Sequence, residues 1–129
     1  MISVMDGLHI VVSQPPPGVS DEDFNHWYDA HLDEILSVKG FRSARRFQLE
    51  PVVGEGTLPC RFICVYEIDG DPRDAVAELA RAGMGTRDSY ADLKDADAGA
   101  LPLPEWWDQV RFASWNCLAQ GEERHGPRA

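Results

Sequence analysis

The sequence predicts an α+β fold whose elements follow one another in the order β-α-β-β-α-β. Three observations lead to this order. Two segments carry the apolar spacing of a helix behind a capping residue, the chain between them is rich in β-branched and aromatic residues, and similar short runs precede the first helix and follow the second. This is the order of a ferredoxin-like unit, an antiparallel sheet with its helices on one face.

The first strand and the first helix have clear boundary signals. The run Leu8–Ser13 is rich in β-branched residues, and the prolines within Gln14–Gly18 end it because proline cannot continue a ladder of hydrogen bonds. Ser20 is an expected N-cap, and the three acidic residues after it favour the positive end of a helix dipole. We therefore predict a helix over Asp21–Val38 that stops at Gly40.

The later elements follow from alternation and capping. Phe41–Glu50 and Cys60–Asp69 alternate in the way that strands do and are predicted as the second and third strands. Asp71 is a cap for a helix that has proline at its first position and runs over Pro72–Ala82. The segment Asp108–Leu118 is predicted as the last strand.

Length and composition restrict the domain organisation and the class of partner. The 129 residues predict one domain over residues 1–120 and a polar C-terminal tail over residues 121–129, which we expect to be flexible. A net charge of -10 argues against nucleic acid and an anionic membrane as partners. No apolar run is long enough to span a bilayer, and no secretion signal is recognisable. An odd number of cysteines, Cys60, Cys64 and Cys117, favours a reducing compartment, so we expect a cytoplasmic protein.

The third strand has apolar residues on both of its sides. One side carries Phe62, Cys64, Tyr66 and Ile68, and the other carries Ile63 and Val65. Because helices can cover only one face of the sheet, we expect a second copy to cover the other, which predicts a homodimer. The alternative is a monomer in which the segment Tyr90–Pro104, predicted to be irregular, covers that face.

A histidine stands in the apolar stripe of the first helix. Residues three or four apart share one side of a helix, and that side consists of Phe24, Tyr28, His31 and Ile35, with Trp27 and Leu32 beside them. The ordinary pKa of histidine, about 6.5, suits a general base at neutral pH, and burial would lower the pKa of His31 further. His31 is either a structural residue bonded to a carbonyl or a nearby acid, or it transfers protons.

Other side chains near this stripe have two interpretations each. Trp27 and Tyr28 can be core residues or a stacking wall for a planar ligand. Arg46 can form a salt bridge with a helix acid or stabilise a substrate anion. The faces of three strand residues depend on a sheet register that alternation does not provide, so they belong either to a pocket or to an interface: His9, Tyr66 and Trp115.

The motifs of several reaction classes are missing from the sequence. It has no Gly-rich phosphate loop, no H-E-x-x-H and no nucleophile elbow. His26 and His31 point to different sides of the helix and make a poor metal pair. We therefore expect no metal and no cofactor, and chemistry that relies on acid–base groups or on the substrate itself.

The stretch Trp27–Phe47 resembles the EthD-like family of the dimeric α+β barrel superfamily. Members carry Trp-Tyr and then His on the first helix, followed by Gly-Phe and an Ala-x-Arg-aromatic strand. The corresponding residues here are Trp27, Tyr28, His31, Gly40, Phe41, Ala44, Arg46 and Phe47. This chain departs from the family at Lys39, where many members have proline, and at Leu32-Asp33, where relatives often place proline after the histidine.

The resemblance implies a homodimer with a shared barrel and a pocket in each subunit between the sheet and its helices. It also implies cofactor-independent chemistry of the oxygenase, cyclase or dehydratase type on a hydrophobic aromatic or polyketide-like small molecule. His31 would be the catalytic residue, and the residues in contact with substrate would be Phe24, Trp27, Tyr28, Arg46 and Tyr66. Two alternatives are a non-catalytic small-molecule binding protein and a haem-binding or haem-degrading member of the superfamily.

Overall fold

The computed structural model describes residues 5–54, 60–84 and 104–127, and its elements follow the predicted order. They are strand β1 (Met5–Gln14), helix α1 (Asp21–Leu36), strand β2 (Phe41–Gln48), strand β3 (Phe62–Asp69), helix α2 (Pro72–Arg81) and strand β4 (Arg111–Leu118), with a short 3-10 turn at Trp107–Gln109. All the strand pairs are antiparallel, and the strand order is β2-β3-β1-β4. The predicted α+β, ferredoxin-like arrangement is therefore confirmed. Of the segment Tyr90–Pro104, all but Pro104 lies outside the described residues.

Strand β1 is one of the two central strands and pairs with β3 on one side and β4 on the other. Its residue His9 stands opposite Tyr66 of β3 and opposite Asn116 of β4. Paired residues of antiparallel strands share a face of the sheet, so these three side chains lie in one row. Two members of this row, His9 and Tyr66, line a cavity between the sheet and α1.

Helix α1 ends at Leu36, two residues earlier than predicted. The hydroxyl of Ser37 donates a hydrogen bond to the carbonyl oxygen of Glu34 at 2.6 Å and so takes the place of a further helical turn. Gly40 then turns the chain into β2 with a φ of +101°, a conformation that glycine adopts without strain. A Cβ at this position would lie 2.9 Å from the Cβ of Ala75, so α2 also packs closely against the turn.

Strand β3 begins at Phe62 and not at Cys60 as predicted. The backbone N–H of Arg61 donates to the side-chain oxygen of Gln14 at 2.9 Å and therefore takes no part in the strand ladder. The guanidinium of Arg61 makes two hydrogen bonds with the carboxylate of Asp21, at 2.7 and 2.8 Å. These bonds link the start of β3 to the start of α1.

Both helices pack on the same face of the sheet, and the main core lies between them and the strands. β3 contributes the side chains that alternation predicted for this face, all of them buried: Phe62, Cys64, Tyr66 and Ile68. From α1 the core receives Phe24, Tyr28 and Ile35. The predicted stripe on α1 is therefore confirmed as the buried side of that helix, and His31 is buried with it.

The opposite face of the sheet is also apolar, as the alternation of β3 predicts. One row across this face runs from Val65 through Ile10 to Trp115. Trp115 on β4 and Phe47 on β2 each leave 44% of their surface exposed. Large aromatic side chains therefore remain partly accessible on this face, on which neither of the two described helices packs.

Candidate functional site

A cavity lies between the helix-covered face of the sheet and α1, next to the 3-10 turn. It has about 500 Å³ of empty space counted out to its mouth, of which about 40 Å³ is wide enough for the centre of a water molecule. It is therefore a narrow slot, which suits a small molecule better than a bulky one. Its hydroxyl and imidazole groups belong to His9, Ser13, Tyr28, His31, Tyr66 and Ser114.

The lining of the cavity carries no permanent charge. Within the described part of the chain no Asp, Glu, Lys or Arg side chain is among the lining residues, although the protein as a whole has a net charge of -10. The remaining lining residues are aliphatic or aromatic: Val11, Ile35, Leu79, Trp107, Val110 and Phe112. An apolar slot with a few hydrogen-bonding groups is typical of small-molecule sites and favours a neutral ligand.

His31 enters the cavity from α1, which places it on the buried stripe by helical spacing. The residue is 3% exposed, and its ring stacks on that of Trp27 with centroids 4.8 Å apart and planes 15° apart. Its Nδ1 lies 3.4 Å from Oε1 of Glu34, one turn further along the helix. Burial lowers the pKa of His31, while the nearby Glu34 carboxylate opposes that shift. The ring is therefore neutral at pH 7 and able to accept a proton.

Two phenols stand beside this imidazole. Tyr28 is 5% exposed, and its hydroxyl takes part in hydrogen bonds with Tyr66 and Ser13. Burial is the main reason that the pKa of Tyr28 lies well above its usual range. The Tyr28 hydroxyl therefore stays protonated and can act as a hydrogen-bond donor. Because Tyr28 and His31 are on α1 while Ser13 and Tyr66 are on strands, the group forms only when the helix docks on the sheet.

His9 is a second imidazole of the same cavity and is 6% exposed. Its Nδ1 lies 2.9 Å from Oδ1 of Asn116, its partner in register on β4. Burial lowers the pKa of His9, and the hydrogen bond with Asn116 opposes this in part. Sequence reasoning left the face of His9 open and did not include it among the site residues.

The structure brings together three of the six predicted site residues at the cavity surface: His31, Tyr28 and Tyr66. Phe24 and Trp27 lie behind them. Phe24 is a fully buried core residue in edge contact with Tyr28, and Trp27 supports the His31 ring. These two positions fit packing better than direct contact with a ligand.

Arg46 is the predicted site residue that lies away from the cavity lining. Its guanidinium lies over the ring of Tyr28, 4.4 Å from the centroid, and donates to the side-chain oxygen of Asn25 at 2.8 Å. A weaker contact of 3.4 Å joins it to Asp29. The salt bridge to a helix acid, one of the two interpretations given above, is therefore what the structure contains, and Arg46 supports Tyr28 from behind.

Sequence reasoning left His9 open between a pocket and an interface, and it missed Ser13 and Ser114 as lining residues. The signal available for the first two was the alternation of His9, Val11 and Ser13, which places two polar residues on one side of an apolar strand. A polar residue on a buried side needs a partner, so this pattern pointed to a functional or hydrogen-bonded position. Ser114 gave no comparable signal.

The described ranges contain no metal site, and burial makes the Cys64 thiol unreactive. No group of three or more His, Cys, Asp or Glu side chains among these residues is arranged to hold a metal ion. Burial raises the pKa of Cys64 to about 11, so this side chain stays a thiol at neutral pH and is a poor nucleophile. Among the same residues no helix has the length and apolar character that crossing a membrane requires.

Comparison with known proteins supports the fold. No known family's sequence pattern matches the chain, and no curated protein sequence matches it. Among solved structures, the Arabidopsis thaliana protein At3g17210 is similar, with a TM-score of 0.52 over 90% of this chain and 99% of that one. The two sequences are 11% identical, so the likeness concerns the fold alone. It agrees with a ferredoxin-like arrangement and does not confirm the EthD-like family.

Proposed function

We propose that this protein is a small enzyme that carries out acid–base chemistry on a neutral, planar, hydrophobic molecule, with His31 as the proton acceptor. The observation that carries the proposal is a buried, neutral imidazole at the surface of a cavity whose lining holds no charged side chain in the described ranges. Such a base can act at neutral pH, and an apolar site strengthens its interaction with a developing charge.

The proposed proton transfer uses the contact between His31 and Glu34. The carboxylate of Glu34 accepts a hydrogen bond from Nδ1–H of His31, so the substrate proton goes to Nε2. The resulting imidazolium is stabilised by Glu34, and the anion left on the substrate is stabilised by a hydroxyl donor such as that of Tyr28. The proton removed comes from an O–H or an activated C–H bond of the substrate. We propose that the chain belongs to the EthD-like family, and the resemblance then implies a reaction of the oxygenase, cyclase or dehydratase type.

The narrow slot favours a single aromatic or short fused-ring molecule over a bulky polyketide. A haem macrocycle fits less well, because it is far wider than the space available. Non-catalytic binding of the same aromatic ligand would use the same groups and differs only in whether product forms.

A comparison of two histidines on one helix tests the role of His31. The small molecules that co-purify with the protein are first identified by mass spectrometry and then supplied to purified variants. We expect His31→Ala to lower turnover by at least about a hundredfold, while His26→Ala, at an exposed position of the same helix, retains it. Turnover at the normal rate in His31→Ala contradicts the proposal, and retention of the molecule without conversion by the unmodified protein favours a binding module.

We also propose a homodimer in which two sheets pack through the faces opposite α1 and α2. The support is the apolar row that includes Ile10 and Trp115, on a face where Trp115 remains 44% exposed. Sedimentation equilibrium should give twice the 14.4 kDa of one chain for the unmodified protein and 14.4 kDa for Trp115→Glu. Ala119→Glu, an equal change of charge just beyond β4, is the control and should stay dimeric. A folded unmodified protein of 14.4 kDa contradicts the dimer.

The proposed location is the cytoplasm. Cys60, Cys64 and Cys117 are all free thiols, which fits a reducing compartment.

A further inference from the structure

The cavity contains a second imidazole that the proposed proton transfer does not use. His9 rises from β1 on the floor of the cavity, while His31 comes from α1 above it. Both residues are nearly fully buried, with 6% and 3% of their surfaces exposed. A buried imidazole with no role is costly to retain in an apolar slot, so the function of His9 needs an explanation.

The partner of His9 determines where its proton resides. An amide oxygen accepts hydrogen bonds and cannot donate them, so the 2.9 Å contact with Oδ1 of Asn116 requires a proton on Nδ1 of His9. In the neutral ring the lone pair is then on Nε2. Because His9 and Asn116 are directly paired residues of adjacent strands, the sheet holds this amide beside the ring.

The two imidazoles differ in the charge of their partners. The Nδ1 of His31 faces a carboxylate, which stabilises an imidazolium, whereas the Nδ1 of His9 faces a neutral amide. The titratable groups that line the cavity with His9 are His31, Tyr28 and Tyr66. None of them is a carboxylate that could stabilise a cation at His9. His9 therefore has less support as a cation than His31 and acts better as a neutral hydrogen-bond acceptor than as a base.

We infer that Nε2 of His9 accepts a hydrogen bond from a hydroxyl group of the ligand and that Asn116 is the positioning residue for this contact. The ligand class is then a hydroxylated aromatic molecule, a phenol or a naphthol, and not a simple hydrocarbon or an ether. The inference rests on the proposed function in so far as both use the same cavity, and it adds a specificity determinant on the wall opposite the base.

The first test concerns the tautomer and needs no ligand. Long-range ¹H–¹⁵N spectra of the imidazoles should show a protonated Nδ1 and an unprotonated Nε2 for His9. Asn116→Ala should shift His9 toward the Nε2–H form, and Asn116→Asp, which restores an acceptor at the same place, should return it to the Nδ1–H form. A purely structural role of Asn116 would not move this signature. An Nε2–H tautomer in the unmodified protein overturns the inference.

The second test uses a matched pair of probes, 1-naphthol and 1-methoxynaphthalene, which share the ring system and differ in the hydroxyl donor. Titration followed by the His9 and His31 signals should show tighter binding of 1-naphthol by about two- to tenfold, the effect of one neutral hydrogen bond. This preference should disappear in His9→Phe and Asn116→Ala and persist in Asn116→Asp and in the control His26→Ala.

The outcomes separate this inference from the proposed function. Equal binding of both probes, with the His31 signal shifted by each, overturns the role of His9 and leaves the cavity and its base in place. Failure of both probes to shift either imidazole counts against the cavity as an aromatic site and therefore against both proposals. If His9→Phe does not fold, the comparison of Asn116→Ala with Asn116→Asp decides, since Asn116 is an exposed strand position.

Discussion

Replacing Arg46 by alanine tests whether this residue acts by packing, as its contacts indicate. Only 11% of its side chain is exposed, although it lies on β2 near the edge of the sheet. Its guanidinium lies 4.4 Å from the centroid of Tyr28 and donates to Asn25 at 2.8 Å. The salt bridge with Asp29 is longer, at 3.4 Å, and the Asp29 side chain is 68% exposed. Arg46→Ala removes all three contacts at once.

The expected loss of stability can be estimated contact by contact. A hydrogen bond that involves a charged group contributes about 1.5–3 kcal/mol net, and a desolvated cation–π contact about 2 kcal/mol. The ion pair with exposed Asp29 contributes at most about 1 kcal/mol. Because contacts that share one side chain are not additive, we expect the free energy of unfolding to fall by about 3–4 kcal/mol.

Urea unfolding followed by far-UV circular dichroism measures this loss, at a single protein concentration so that any self-association affects all variants alike. Arg42→Ala is the matched control, since Arg42 lies on the same strand, is 50% exposed and reaches Asp69 at 3.9 Å. It should cost less than about 1 kcal/mol. An Arg46→Ala variant whose stability lies within about 0.5 kcal/mol of the unmodified protein, the range of ordinary surface changes, would refute the reasoning.

Two further predictions concern pH and a turn. Burial lowers the pKa of both His9 and His31, so below about pH 6.5 the unfolded chain binds more protons than the folded one, and stability should fall as the pH drops from about 6.5. Urea unfolding between pH 8 and pH 5 should show a smaller fall in His31→Gln than in the unmodified protein, and identical slopes would contradict this. Gly40→Ala should lower the free energy of unfolding, measured by heat or urea, by about 1–3 kcal/mol because of its positive φ. The loss should exceed that of Gly18→Ala, because a Cβ at Gly40 lies 2.9 Å from Ala75 whereas one at Gly18 has no atom within 4 Å. Equal losses would show that the contact has no effect.

The elements of this fold could be predicted from sequence because their signals are local. Ser20 accepts a hydrogen bond from the N–H of Asp23 at 3.1 Å, and Asp71 accepts one from the N–H of Arg73 at 2.8 Å. Both predicted caps are therefore confirmed, and each bonds with a residue only two or three positions further along the chain. The alternation of β3 and the stripe of α1 depend only on the geometry of a strand and of a helix. Errors occurred where a distant side chain intervened, as at Arg61, whose N–H bonds with Gln14 and delays the start of β3.

The candidate site was predictable to the extent that it lies on the helix. A helix that covers a sheet has one buried side, so the stripe alone places His31 and Tyr28 toward the interior. Arg46 required more information, because its position behind Tyr28 depends on where α1 crosses β2. The resemblance implied that the guanidinium of Arg46 contacts the substrate. It instead contacts Asn25, Asp29 and the ring face of Tyr28.

His9 shows why strand residues resist this kind of prediction. Alternate residues of a strand share a face, so His9, Val11 and Ser13 lie on the same side of β1. Which side the helices cover depends on how β1 pairs with its neighbours. Its hydrogen-bond partner Asn116 lies 107 residues away, on a strand whose register with β1 no local pattern contains. The position of His31, the proposed base, can therefore be predicted from one segment, whereas the hydrogen bond of His9 depends on the assembled sheet. Asn116→Ala should for this reason remove the His9 contact and leave the stacking of His31 on Trp27 and its contact with Glu34 intact, which the imidazole NMR signals of the two histidines would report.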